Sequence, residues 1–267
     1  MRYVAPARGS IDPTAFMRLP LADWQAPAEW LLGEHWPSID VLNAARSAAM
    51  HERFVAQTLS LLNDGQHYEQ RIATHGEIAT RECNWHDLFN AVIWLRHAAL
   101  KRALNAQQVT EIAEMGTKLR SRPQYAMTHF DEAGVIVVLR DRRLLKLWDA
   151  HDWHGLFWRE RAAWLDGRAS VEVFGHALLE HALTPDKLLV GKALVFLGGA
   201  DGGKAAAVCA DAIAAGKLLR DPLELRPLPL SGLPGWHPDN GNEAFHRAAA
   251  CYQPRRAGRE YPRPGCL

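Results

Sequence analysis

The segment at residues 84–101, NWHDLFNAVIWLRHAALK, constrains this chain more than any other. Leu88, Phe89, Ala91, Val92, Ile93 and Leu95 cover most of the circumference of a helix, so the helix must be largely buried. At 100° per residue, however, His86, Asn90, His97 and Lys101 fall within about 60° of one another, with Asp87 beside them. A polar stripe on a buried helix needs partners, because an unpaired buried polar group costs ~1–3 kcal/mol. The fold must therefore bring other polar side chains to this stripe, either as structural hydrogen-bond partners or as a site. Asn84 is placed to cap the helix, which extends to about Leu104 with a break expected near His97.

Around this helix the pattern predicts an α+β fold: a single, mostly helical domain with a small sheet. Residues 1–37 carry five prolines and the aromatics Phe16, Trp24, Trp30 and Trp36, and read as irregular chain pinned to the domain by its rings. The domain itself is expected over 38–253. A helix opens at Ser38, and RFVAQTL at 53–59 reads equally as its continuation or as a short strand. Tyr68–Thr80 alternates around HGE and reads as a hairpin with Gly76 in its turn. Further helices are expected at about 107–115 and 122–130, and GVIVVL (134–139) is a strand of β-branched residues. A helical, tryptophan-rich run follows, with Trp148, Trp153, Trp158 and Trp164 at core-packing intervals. SVEVFGHALLEHAL then gives a short strand leading into a helix. The Pro- and Gly-rich ELRPLPLSGLPGW is expected to run extended across the surface, and the basic 254–267 as a solvated tail.

Charge and cysteine usage narrow the function classes. Thirty-one Lys and Arg against 30 Asp and Glu leave no global field to attract nucleic acid or anionic membrane. Nucleic acid is not an expected partner on that ground. Cys83, Cys209, Cys251 and Cys266 form no C-x-x-C pair. No apolar run reaches the length of a secretory leader or a membrane span, so a cytoplasmic protein is expected.

Several motifs invite chemistry. GGADGGKA (198–205) has the strand, G-x-x-x-x-G-K, helix layout of a phosphate loop, but Ala205 stands where a Mg²⁺-binding hydroxyl is required and Asp201 puts negative charge where phosphate would lie. It reads as a connection before an alanine-rich helix. His176 and Glu180 share a helix face and suit either metal binding or acid–base work, though the H-E-x-x-H pattern is absent. Asp131 and Glu132 in HFDEAGV are hard ligands for a divalent metal if they do not simply stabilise a turn. Glu77 and Arg81 precede the polar helix, and Arg81 suits a carboxylate or phosphate. Cys83 beside His86 is a common coincidence, and no G-x-S-x-G elbow is present.

Five ordered stretches, YEQRIATHGEIATRECNWHDLFNAVIWLRHAALKRALN, THFDEAGVIVV, LFWRER, FGHALLEHALTP and PLPLSGLPGW, resemble a bacterial family known as domain of unknown function family 3025. The resemblance covers about 53–253 and implies a single cytoplasmic bacterial domain, without an activity. His97 and Ala98 depart from its pattern, which has an apolar or aromatic residue followed by Pro, and the glycine-rich loop is foreign to it. Combined with the residues above, the expectation is a metal-assisted or general acid–base hydrolase acting on a small or phosphorylated substrate. His86, Asp87, His176 and Glu180 would be catalytic, Arg81, Asn90 and Glu77 would bind substrate, and Asp131 and Glu132 would hold a divalent metal. The alternative is a non-catalytic interaction module, in which these groups form a buried structural network and the Pro-rich C-terminal segment takes a protein partner.

Overall fold

In the computed structural model, which describes residues 3–24, 28–199 and 202–267, the N-terminal segment is irregular, as its prolines require. Three 3-10 turns (Arg8–Ser10, Pro13–Met17, Leu21–Asp23) and the short helix α1 (Ala28–Leu32) are held down by buried Trp24 and Trp30. Helix α2 (Ile39–Ala44) starts at Ser38, whose hydroxyl accepts from the Val41 N–H, and ends after six residues. Strand β1 (Arg53–Ala56) follows, so the strand reading of 53–56 holds, and α3 (Leu59–Leu62) is capped by Thr58.

The expected hairpin over Tyr68–Thr80 is instead helix α4 (Tyr68–His75) followed by strand β2 (Glu77–Thr80), which pairs parallel to β1. Gly76 adopts φ 65° and donates its N–H to the Ile72 carbonyl. It is thus a left-handed helix stop, a role that glycine serves as readily as a hairpin turn. Burial of the consecutive Arg71 and Ile72 suits a helix stripe and not an alternating strand.

Helix α5 (Trp85–Met115) is the axis of the molecule. Asn84 caps it by accepting from the Asp87 N–H, and its helical geometry is interrupted at His97 (φ −124°, ψ 40°), as the sequence predicts. Helix α6 (Arg122–Ala133) opens with a Ser121/Gln124 capping box and runs far enough that Asp131 and Glu132 sit on its last turn, not in the connection beyond it. Strand β3 (Gly134–Leu139) is buried throughout. After α7 (Arg142–Asp149), a one-turn π-helix (Gly155–Arg159) and α8 (Arg161–Leu165), strand β4 (Ala169–Val173) leads into α9 (His176–Ala182). Strand β5 (Val190–Leu197), α10 (Gly202–Ala214), β6 (Arg226–Pro229), α11 (Glu243–Ala248) and β7 (Gly265–Cys266) complete the chain. The larger sheet has the order β4-β3-β5-β6, with β3 and β5 parallel and β7 added beside β5. The protein is an α+β single domain in which one core cluster runs from Leu21 to Leu233.

One expectation for the C-terminal third is corrected. The stretch PLPLSGLPGW does not lie across the surface: it forms β6 against β5, and Leu228, Leu230 and Leu233 are buried in the core. Prolines are tolerated there because β6 pairs with β5 alone on this side of the sheet. The basic 254–267 is largely exposed and is tied down at Pro262, whose carbonyl accepts from Arg226, and at Leu267, whose N–H donates to Leu197. In the glycine loop, Ala200 and Asp201 lie outside the described residues, and the chain beyond them enters the alanine-rich α10. All four cysteines are free. Among the described residues no helix is long and apolar enough to cross a membrane.

Candidate metal centre

The N-terminal turn of α5, the last turn of α6 and the first turn of α9 meet, and each brings one donor. A close backbone approach makes this meeting possible. Gly175, just before α9, packs so tightly on α6 and β3 that an added Cβ would lie 2.5 Å from the Cα of Ala133 and from the nitrogen of Gly134. The Gly175 and Phe174 N–H groups both donate to the Gly134 carbonyl. His176, the next residue, is thereby held against Asp131 and Glu132.

The Nε2 atoms of His86 and His176 are 3.0 Å apart, and the Glu132 carboxylate lies 4.0 Å from the first and 3.7 Å from the second. Three points so spaced lie on a circle of radius about 2.1 Å, the bond length from a divalent transition metal to imidazole nitrogen or carboxylate oxygen. These three residues form the one group of potential metal ligands found among the described residues. At 3.0 Å the two imidazoles must share either a proton or a cation, since two bare lone pairs would repel.

The surroundings orient these donors. Glu180 accepts from His86 Nδ1 at 3.0 Å, which leaves Nε2 as the atom that takes either a proton or a cation. Asp131 lies 3.9 Å from His176 Nδ1, an atom buried without a hydrogen-bond partner, and takes a 2.6 Å bond from Lys101. Asp131 and Glu132 both stand at the negative end of the α6 dipole, where carboxylates are disfavoured. With Glu180 they place three carboxylates about the two imidazoles, and only Asp131 among them is answered by an ammonium, that of Lys101.

Burial sets the protonation states. It depresses the His176 imidazole to about 3, against the pull of Asp131. For His86, burial opposes the cation, but the Glu180 hydrogen bond and the charges of Glu132 and Glu180 outweigh it and raise the group above the ordinary imidazole range. Burial raises the Glu132 carboxyl despite His86. At Asp131 burial is outweighed by Lys101 and His176, and the carboxyl falls. His97, also buried, is depressed to about 4 by burial and by Arg96.

A pH dependence of stability follows for the metal-free protein. Below pH ~6.5 the unfolded chain binds protons that His97 and His176 refuse in the fold, so stability falls as pH drops from ~6.5 toward their folded values. Each contributes a slope of up to ~1.4 kcal/mol per pH unit. Urea unfolding of chelator-treated protein between pH 7 and 4.5 should show this contribution, and His176→Gln should change the slope by up to ~1.4 kcal/mol per pH unit relative to wild type; a slope unchanged by the substitution would mean that His176 is protonated in the fold.

The centre sits between two cavities. An open cleft of about 1210 Å³ is lined by Arg81, His86, Glu132, Glu180, His181 and Lys187. A narrower chamber of about 350 Å³ lies on the other side and shares His86, Glu132 and Arg81 with the cleft, while His176 faces the chamber.

Of the residues singled out in the sequence, His86, His176, Glu180, Asp131 and Glu132 come together. Asp87 adjoins them but is engaged: it accepts from the Arg81 N–H at 2.6 Å and from the Arg81 guanidinium at 2.7 Å, fixing the turn into α5. Glu77 is not part of the cluster, being held by Arg53 and Arg71. Asn90 faces the chamber, with its Nδ2 on the Tyr68 hydroxyl. The sequence reading misses Trp94 and Tyr68 on the chamber wall, although Trp94 follows His86 and Asn90 at successive four-residue intervals on α5.

Residues 52–256 match the family model described as Protein of unknown function (DUF3025). That span contains His86, Glu132, His176 and Glu180. No curated protein and no solved structure matches the chain.

Proposed function

The chain belongs to the DUF3025 family, and from that premise we propose that it is a metal-dependent hydrolase of small molecules whose single divalent ion is held by His86, Glu132 and His176. The observation that carries this reading is the spacing of the three donor atoms, which admits one ion at bonding distance from all of them. Two imidazoles and one carboxylate are a ligand set used for hydrolytic zinc, and three protein ligands leave positions for water and substrate. Such an ion lowers the pKa of bound water toward neutrality and polarises the bond to be cleaved.

The remaining groups have supporting roles. Glu180 orients the His86 imidazole, Asp131 sets a negative charge 3.9 Å from His176 Nδ1, and Lys101 holds Asp131 ionised. The Arg81 guanidinium is half exposed beyond its bonds to Asp87 and is placed to meet an anionic part of a substrate arriving through the cleft.

The test is turnover of a panel of ester, amide and phosphoester substrates by protein purified without a nickel column. The expected result is hydrolysis that a chelator abolishes and Zn²⁺ or Mn²⁺ restores. Bound iron with oxygen-consuming turnover would replace hydrolysis by oxidation. Full activity after metal removal would leave a metal-free acid–base site.

A further inference from the structure

Three cations line the open cleft in front of the metal centre, Arg8, Arg81 and Lys187, and among the described residues only Arg81 meets a carboxylate. Arg8 donates to the main-chain carbonyls of Gly33 and Trp30, and its guanidinium lies 4.6 Å from the centre of the Trp36 ring. Arg81 holds Asp87 through Nε and Nη2, which leaves Nη1 for a ligand, and its side chain is half exposed. Lys187 makes no ion pair and no side-chain hydrogen bond among the described residues. The two carboxylates on the same wall, Glu132 and Glu180, are engaged by the imidazoles of the centre.

Lys187 is nevertheless held in place. It sits half-buried in the connection between α9 and β5, with its main-chain N–H on the Thr184 carbonyl. Its ammonium rests 3.8 Å from the centre of the Tyr3 ring, an attraction of cation for ring face. Tyr3 is fixed in turn: its hydroxyl donates to the Glu180 carbonyl at 3.1 Å, and its ring packs edge-on against His181. Burial lowers the Lys187 ammonium against the pull of Glu180, so this cation has given up hydration without gaining an ion pair. A surface lysine ordinarily swings in water on a flexible stem. One that is positioned, partly dehydrated and without an anion marks where an anion belongs.

Glu180 ties this wall to the centre. Its carboxylate accepts from His86 Nδ1, and its charge acts on both Arg81 and Lys187, so the two cations lie around the residue that backs His86. A divalent ion on His86, Glu132 and His176 would leave the cleft positive overall and draw anions into it.

We propose that Lys187 and Arg81 form an anion-binding subsite of the cleft, with Tyr3 positioning the lysine, and that its ligand is a small molecule bearing a carboxylate or phosphate group. On the hydrolase reading, on which this assignment to a substrate rests, the anion is the handle by which the cleft orients the substrate while another part of it meets the ion. The binding claim stands without the metal.

The experiment is a titration of chelator-treated, ¹⁵N-labelled protein with inorganic phosphate and with acetate, and with acetamide as the uncharged control. At least one anion should move amide signals around the cleft to saturation, and acetamide should not. Tighter phosphate identifies a phosphorylated ligand and tighter acetate a carboxylate. Lys187→Gln should weaken the tighter anion about tenfold, Tyr3→Leu should weaken it severalfold, and Lys187→Arg should restore most of it. Lys146→Gln, which removes the same charge from an exposed position on α7, should leave it unchanged. Circular dichroism checks each fold, and Lys187→Met serves if the glutamine variant does not fold. Binding of neither anion, equal binding of acetamide, wild-type affinity in Lys187→Gln, or an equal loss in Lys146→Gln would overturn the subsite. Zn²⁺ titration and turnover separate the two readings. Lys187→Gln should bind the ion as wild type does and raise KM for anionic substrates about tenfold with kcat little changed. Hydrolysis confined to uncharged substrates and indifferent to Lys187→Gln would sink the subsite and keep the hydrolase. Anion binding that depends on Lys187 in a protein that takes no metal would sink the hydrolase reading alone.

Discussion

Alanine at His86, Glu132 or His176 is expected to weaken divalent-ion binding by more than about 100-fold, whichever of the three is replaced. Each supplies one of only three protein donors, and loss of an outer orienting group alone typically weakens a metal site 10–100-fold. Glu180→Gln should therefore fall in that lower range, because a glutamine oxygen still accepts from His86 Nδ1 but brings no charge. Asp87→Asn is the control. Its carboxylate is bonded to Arg81 and to the turn before α5, so the variant should lose some stability and keep its metal. Metal content after desalting, with calorimetric titration of Zn²⁺ or Mn²⁺ and circular dichroism to check the fold, reads all five variants. Ion binding unchanged in any of the three alanine variants would remove that residue from the centre.

Gly175→Ala is expected to destabilise the protein by about 3 kcal/mol and to lower Tm by roughly 6–12 °C, although it adds only a single uncharged methyl group. The methyl would meet main-chain atoms of Ala133 and Gly134 at 2.5 Å, and main chain cannot rotate away as a side chain can. Relief requires α9 to move off the end of α6, which is the contact that holds His176 beside Glu132. Metal affinity should thus fall together with stability. A thermal melt matching wild type would show that the approach of α9 is looser than the structure has it.

How much of this was legible in the sequence can be seen residue by residue. The polar stripe on α5 announces a site because a buried helix cannot leave His86, Asn90 and Lys101 unpaired, and the cap at Asn84 and the break at His97 are local events written in local residues. The His176/Glu180 pair is equally visible as a helix-face neighbourhood, but its meaning changes in three dimensions. Glu180 bonds to His86 from another helix, while His176 receives Asp131 and Glu132. Which partner each group finds is decided by the approach at Gly175, a long-range contact that no window of sequence contains. Glu77 appeared beside the site only because it precedes α5 in the chain; Arg53, paired through the parallel β1–β2 ladder, draws it away. The α4 segment was misread because glycine after a histidine marks a helix stop as well as a hairpin turn. Trp94 was invisible as a polar residue, since an indole counts as apolar until its N–H is found without a partner.

The most direct measurement is the anomalous scattering of a crystal grown with Mn²⁺ or Zn²⁺, recorded on both sides of the metal's absorption edge. One peak about 2.1 Å from His86 Nε2, His176 Nε2 and the Glu132 carboxylate is the predicted result. The contradicting result is a crystal soaked in millimolar ion in which the two imidazoles still face each other at hydrogen-bond distance with no anomalous density between them.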